Sequence, residues 1–281
     1  MHEPQEEKKR KPRRDKGIRL MTARDQWVLA WIAEQYAVRF DHVRQLLSLQ
    51  PGHRSARFAP GSDGVSDSDV LQVIGRWERE PAWVGYRRFH VGQPGWVWVT
   101  PVGIEILSSQ GFLPKYGRHT LKESTFEHLH CINCVRLDYA RRHPEWSWVS
   151  ERSIRRLLGR SMEGDDLAHI PDGQLWLGER RAVAVEVELS PKDEREYDRI
   201  FHELLVAGVQ LSDTTSFVYK TVWYFVSSAN DVHRQAWRMV EEARVRLPED
   251  YRRRVQIIDL EKVVRHDAST ALAPATSGER S

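Results

Sequence analysis

Cysteine is nearly absent: the 281-residue chain holds only Cys131 and Cys134. Two thiols so few and so close in sequence make no disulfide framework, and the expectation is a reducing, cytoplasmic setting. Long apolar runs are missing too. No stretch approaches the roughly 20 apolar residues that span a bilayer, and the first residues are charged rather than apolar, so neither a membrane partner nor a secretory leader is expected. There is no Walker-type glycine loop, which removes ATP from the expected ligands, and no internal repeat. Neither sign of charge dominates, with 43 Lys and Arg against 40 Asp and Glu for a net of +3.

What charge there is lies unevenly. Residues 1–19 carry Lys8, Lys9, Arg10, Lys11, Arg13, Arg14, Lys16 and Arg19 against Glu3, Glu6, Glu7 and Asp15, so this arm holds +4 and the remainder about −1. A segment such as "KKRKPRR" lacks the apolar side chains that offset ordering entropy, so it is expected to be a disordered arm. Either it tracks phosphates or it is a solubilising tail without a partner.

The length suits two domains. After the arm, residues 20–110 read as a winged-helix domain. "TARDQWVLAWIAEQYA" sets Trp27, Val28, Trp31 and Ile32 on one helical stripe with Thr22 at the N-cap. A second helix is expected over 39–49, then a Gly/Pro/Ser-rich loop over 50–68, then a helix "DVLQVIGRWERE" capped by Ser66 and Asp69. "WVGYRRFHVGQPGWVWVT" reads as strand, turn and strand, and Thr100 with Pro101 opens a further helix. In a winged helix the third helix enters the major groove and the hairpin approaches the backbone. That places Gln72, Arg76 and Arg79 toward bases and Arg87, Arg88 and His90 toward phosphates of double-stranded DNA, with Asp67, Asp69, Glu78 and Glu80 tempering the charge. Winged helices also serve as protein-interaction modules.

Residues 111–122 read as a linker, 123–266 as a second domain and 267–281 as a disordered tail. The second domain alternates: a helix over 124–142, strands "WSWVSE", "GQLWL" and "AVAVEVEL", a helix over 191–207, a strand "FVYKTVWYFVS", a helix over 231–246 and a strand "VQIIDL". This α-β-β-β-α-β order with additions implies α/β architecture, a mixed sheet flanked by helices.

Its centre is "PDGQLWLGERRAVAVEVELSPKDE", residues 171–194. Along "AVAVEVELS", Val183, Val185, Val187 and Leu189 share one face of a strand, while Ala182, Ala184, Glu186 and Glu188 share the other. A hairpin can bring Asp172 to the same end. Acids so placed repel unless a cation intervenes, and Mg²⁺ or Mn²⁺ held by carboxylates, waters and a phosphate oxygen would serve. Ser190, Pro191 and Asp193 read as N-cap, first residue and capping-box partner of the next helix, which puts Lys192 in its first turn beside free N–H groups, a site for an anion. The competing reading is an edge strand with its acids and Lys192 in water.

Asp172, Glu186, Glu188 and Lys192 in that order resemble the PD-(D/E)xK nuclease superfamily, the restriction-endonuclease-like fold. From about residue 20 to 265, with "MTARDQWVLAWIAEQYAVRFDHVRQLL" in front and "IPDG" followed by "VAVEVELSPK" behind, the chain resembles the replication-relaxation family of plasmid and mobile-element proteins. Some plasmid mobilisation relaxases similarly couple a winged helix to this nuclease fold. The resemblance implies Asp172 and Glu186 as metal ligands and Glu188 as a further ligand or as standing at the family's lysine position. Lys192 would be a displaced lysine orienting water or steadying the phosphate. The chain departs from the family in reading Glu-Val-Glu where Glu-x-Lys is usual, and catalytically dead members exist.

The helix "FEHLHCINCVRLDYARR" puts His130 and Asn133 on the face of Phe126, Leu129, Leu137 and Ala140. The resemblance makes His128 and Asn133 a family feature and Glu127 an acid from the first helix. One Cys-x-x-Cys pair lacks the second half of a zinc site, so a hydrogen-bonded core histidine is the better reading. Tyr197 joins Ile200, Phe201, Leu204 and Leu205 in a buried stripe, and Trp223 and Tyr224 belong to a buried strand. The functional expectations are a metal-dependent DNA nickase or endonuclease of a plasmid or mobile element, a non-catalytic DNA-binding regulator or replication accessory on a nuclease-like scaffold, or an interaction module among replication or conjugation proteins.

Overall fold

The computed structural model describes residues 21–49, 65–116, 120–158, 169–178, 181–207, 209–212 and 215–264. The basic arm, most of the loop expected at 50–68 and all of the C-terminal tail expected at 267–281 lie outside the described residues.

The first half contains α1 (Ala23–Glu34), β1 (Val38–Arg39), α2 (Phe40–Leu49), α3 (Asp67–Trp77), β2 (Val84–Arg87), β3 (Trp96–Val99) and α4 (Pro101–Ser109). Local chemistry starts the helices. Thr22 and Asp25 close a reciprocal capping box on α1, Ser66 accepts from the Asp69 N–H on α3, and Thr100 caps α4 with Pro101 in its first turn. The helix expected over 39–49 begins one residue later, at Phe40. Arg39 instead joins β1, a two-residue strand that pairs antiparallel with β3, making a β1-β3-β2 sheet. Val28, Leu29, Ile32, Leu46, Ile74 and Trp77 fill the core beneath it. The expected outward role of Arg76 needs correction: its guanidinium is held by the fully buried Asp25 of α1, which also accepts from the Trp77 indole N–H at 2.9 Å. Burying an acid requires such partners, so Arg76 serves the core more than the surface.

The second half contains α5 (Phe126–Arg142), β4 (Ser147–Ser150), α6 (Glu151–Leu157), β5 (Gly173–Trp176), β6 (Ala182–Glu188), α7 (Glu194–His202), β7 (Val209–Ser212), β8 (Thr215–Phe217), β9 (Thr221–Val226), α8 (Asp231–Arg246), α9 (Glu249–Arg252) and β10 (Val255–Asp259). The expected α-β-β-β-α-β order is present. The single strand expected over "FVYKTVWYFVS" divides into β8, which pairs with β7, and β9, which joins the main sheet. That sheet is five-stranded and mixed, in the order β10-β9-β6-β5-β4. β4, β5 and β6 form an antiparallel meander, while β9 lies parallel to β6 and β10 parallel to β9.

β6 therefore occupies the centre, and each of its seven residues is buried. The edge-strand reading of its acids is overturned. Val183, Val185 and Val187 pack under Ile132, Val135 and Tyr139 of α5. Ala182 and Ala184 pack under Tyr197, Ile200 and Phe201 of α7 and Val240 of α8. Small alanines suit the second face because large rings fill it from the helix side. Each fully buried side chain the size of Phe201 contributes about 1.5–3 kcal/mol by leaving water.

The two halves meet at α5 and α6. Arg152 donates to the Ala33 carbonyl at 2.5 Å, satisfying one of the unpaired carbonyls at the end of α1. The wholly buried Asn133 donates to the Ala37 carbonyl at 3.0 Å, and Arg136 donates to Glu34 at 2.5 Å with its guanidinium over the Trp31 ring. Tyr36, just past α1, adopts φ 65, a left-handed conformation that closes helices and is uncommon for a residue with a side chain. Arg152 lies 5.0 Å from its ring centroid. No described helix is long and apolar enough to cross a membrane.

Candidate acidic site at the end of the central strand

Parallel β6 and β9 end on the same side of the sheet, the side where open α/β sheets place ligands. Asp172 stands one residue before β5, and the register Gly173↔Val185 brings it opposite the Glu186 end of β6. Its Oδ2 accepts the Val187 N–H at 2.8 Å. Gly173 follows because a Cβ there would lie 2.1 Å from the Trp148 ring. Glu186 and Glu188 lie at the end of β6 at 7% and 4% exposure.

Each acid meets its own cation or imidazole. His128, from the first turn of α5, places Nε2 3.1 Å from Asp172 Oδ2. His169 places Nε2 2.9 Å from Glu186 Oε1. Lys192 directs its ammonium to Glu188 Oε2, whose other oxygen accepts the Ser190 N–H at 3.3 Å. Electrostatics follow from this pairing. The Asp172 charge, more than the opposing effect of burial, raises His128 to about 9. Burial alone would push Asp172 up, but the His128 charge and the Val187 N–H hold it below its ordinary value. Burial dominates at Glu186 and, against the pull of His169, raises it to about 7. His169 is raised because Glu186 outweighs its own burial. Glu186, met by the partly buried His169, is thus placed to hold or release a proton near neutral pH, the condition for acid–base work.

Lys192 departs from its expected place. Asp193, not Ser190, is the N-cap, accepting from the Glu196 N–H at 2.8 Å, and α7 starts at Glu194. Lys192 precedes the cap and serves Glu188, so the expected anion site built from its ammonium and the first helical turn is not formed. Nor do the three acids gather closely: among the described residues, Asp172, Glu186 and Glu188 do not form a trio with oxygens within 4.8 Å of one another. Their chemistry nevertheless suits a hard dication, which needs one or two carboxylates and takes its remaining ligands from water and phosphate. The buried Glu186 is the acid whose charge such an ion would most relieve.

The four accessory residues on α5 point four ways. Glu127 is 70% exposed and lies 3.8 Å from His233 Nε2, His128 serves Asp172, and His130 Nδ1 lies 3.0 Å from His42 Nε2 on α2. Asn133 holds the two halves together and touches none of the acids described here. On the other half, Gln72 is exposed on α3 and Arg79, expected on that helix, is exposed two residues past its end, while Arg87 and Arg88 are exposed at the end of β2. Arg88 donates to the Tyr86 hydroxyl at 3.3 Å, Arg87 lies over the Phe89 ring, and His90 sits 3.4 Å from Glu123.

Sequence reasoning missed His169, His42 and the chain in which His233 Nδ1 meets Ser227 Oγ at 2.9 Å and Ser227 donates to Glu261 at 2.7 Å. "HIPDG" carried a signal for His169, three residues before Asp172. Compared with known proteins, the chain matches no family model, no curated protein and no solved structure.

Proposed function

We propose that the protein acts on double-stranded DNA as a divalent-metal-dependent nickase or endonuclease of a PD-(D/E)xK type, serving plasmid or mobile-element replication or mobilisation. The observation that carries this reading is the meeting of Asp172 and the Glu186–His169 pair at the carboxyl end of a central strand, with one acid poised near neutrality. The antiparallel meander followed by a parallel crossover agrees with a restriction-endonuclease-like sheet, and α1, α2 and α3 with the β1-β3-β2 sheet agree with a winged helix. Gln72 and Arg79 would face bases and Arg87 and Arg88 phosphates. Asp172 and Glu186, with Glu188 beside them, would hold Mg²⁺ or Mn²⁺. Such an ion supplies an activated water and screens phosphate charge. His169, beside Glu186, would manage the proton, and Lys192 would pair with Glu188.

A second reading rests on the pairing itself. His128, His169 and Lys192 already offset the three acids without an added ion, which suits a DNA-binding regulator or replication accessory on a nuclease-like scaffold. Supercoiled plasmid incubated with the protein and Mn²⁺ separates the two. Relaxation that disappears in Glu186→Gln and in Lys192→Met supports the enzyme. Binding without cutting, unchanged by either substitution, supports the scaffold, and neither binding nor cutting at low salt leaves a protein-interaction module.

A further inference from the structure

A second polar cluster lies away from the acids, where α2 of the first half meets α5 of the second. His42 Nε2, His130 Nδ1 and Cys134 Sγ all lie within 4.8 Å of one another. The separations are 3.0 Å between the two nitrogens, 3.6 Å from Sγ to His42 Nε2 and 3.5 Å from Sγ to His130 Nδ1. Tetrahedral zinc with Zn–N near 2.0–2.1 Å and Zn–S near 2.3 Å needs donor atoms roughly 3.3–3.6 Å apart. The two sulfur distances meet that requirement and the nitrogen pair falls slightly inside it. His42 and Cys134 are buried, and His130 is partly exposed.

The geometry points to a Zn²⁺ site of two histidines and one cysteine, with a water as fourth ligand, that clamps α2 onto α5. The second half that the Cys-x-x-Cys pair lacks in sequence is supplied by His42, while Cys131 is not in the cluster. The two rings stack in the seam with centroids 4.9 Å apart, and in its neutral form each offers one lone pair. The Arg39 N–H directed at His42 Nδ1, at 3.4 Å, places the ring proton on Nε2, which donates to His130 Nδ1. Zinc entry moves that proton to Nδ1 and displaces the Arg39 contact. His130 already presents its lone pair. The S–H bond of Cys134 breaks, an S–Zn bond forms, and its proton leaves to solvent, one proton for each ion bound.

The test uses untagged full-length protein stripped with chelator and titrated with Co²⁺. Expected are one thiolate-bound ion per chain, read from a thiolate-to-cobalt charge-transfer band, intense tetrahedral d–d bands and displacement by Zn²⁺. Zn²⁺ at about 100-fold excess over Kd raises Tm by roughly 5 °C. Cys134→Ser abolishes the charge-transfer band, and Cys131→Ser preserves it. His130→Ala weakens binding beyond the roughly 10- to 100-fold that loss of an outer partner costs. Glu186→Gln leaves the cobalt spectrum unchanged, which keeps this site distinct from the acidic one whatever becomes of the nuclease reading. A folded wild-type protein that binds no cobalt overturns the proposal. So does a band that survives Cys134→Ser, or one lost in Cys131→Ser or Glu186→Gln.

Discussion

His128 and His130 stand two residues apart on one helix and have opposite proton affinities. His128 faces Asp172 and is raised to about 9, while His130 faces His42 in a buried seam and is lowered. The residue type and the helix are the same, so the difference comes from what packs opposite. At the sheet end, α5 meets a carboxylate and electrostatic attraction outweighs burial. Against α2 and the end of β1 it meets another imidazole and Arg39, and the Asp41 charge does not offset desolvation enough to keep a proton. One helix thus serves a charged cluster and a neutral one, and a neutral cluster with a thiol suits a softer metal than carboxylates do.

The comparison breaks most sharply at Asp172. Asp172→Asn can keep an oxygen for the Val187 N–H but removes the charge beside His128, so a loss of about 2 kcal/mol in urea unfolding at neutral pH is expected. His128 should then fall toward or below 6.5 by NMR titration, with His130 unmoved. A His128 that stays high would show that Asp172 does not set its charge. Next in size, His169→Ala strips Glu186 of the partner that lowers it, so the Glu186 carboxyl should titrate above about 7, read by carbon NMR of the side chain.

The pH dependence of the metal-free protein extends the same contrast. His128 is raised from 6.5 to about 9, so its contribution is complete below 6.5 and is lost as pH rises through about 9. With its side chain 42% exposed, solvent screens the pair, and the alkaline loss should be about 1 kcal/mol. His42 is lowered from 6.5 to about 4. The unfolded chain then takes up the proton first, and stability is lost as pH falls from 6.5 toward 4. Denaturant midpoints across this range should show both limbs. Asp172→Asn should flatten the alkaline one and leave that due to His42.

Much of the fold is legible because it is written locally. Thr22 with Asp25, Ser66 with Asp69 and Thr100 with Pro101 are patterns within four residues, and the helix starts fall where they predict. The alternation along "AVAVEVEL" identifies the strand but not its place, since a strand buried on both faces can carry acids only if partners arrive from elsewhere in the chain. Those partners, His128 and His169, are 44 residues from Asp172 and 17 from Glu186. His42 and His130 are 88 apart, and no periodicity connects them. The turn before α7 reads as capped by Ser190, with Asp193 as its capping-box partner, but Asp193 takes the cap itself. That leaves Lys192 ahead of the helix with its ammonium on Glu188.

The smallest expected effect tests the comparison from its exposed side. Glu127 is next to His128 in sequence, is 70% exposed and lies 3.8 Å from His233, whose Nδ1 is engaged by Ser227. An exposed acid at that distance gains little, because water screens it and its side chain loses freedom in holding one position. Glu127→Gln should therefore change stability by less than about 0.5 kcal/mol, read as an unmoved urea midpoint beside the large shift of Asp172→Asn. The near-neutral outcome gives the variant a second use. If Glu127 joins the acids in holding Mn²⁺, plasmid relaxation falls while the fold is intact. If wild type relaxes plasmid and the variant does so equally, the proposed metal would rest on Asp172 and Glu186. A stability loss matching that of Asp172→Asn would mean that the start of α5, rather than the burial of its partner acid, sets these energies, and the contrast between neighbouring side chains on α5 would fail.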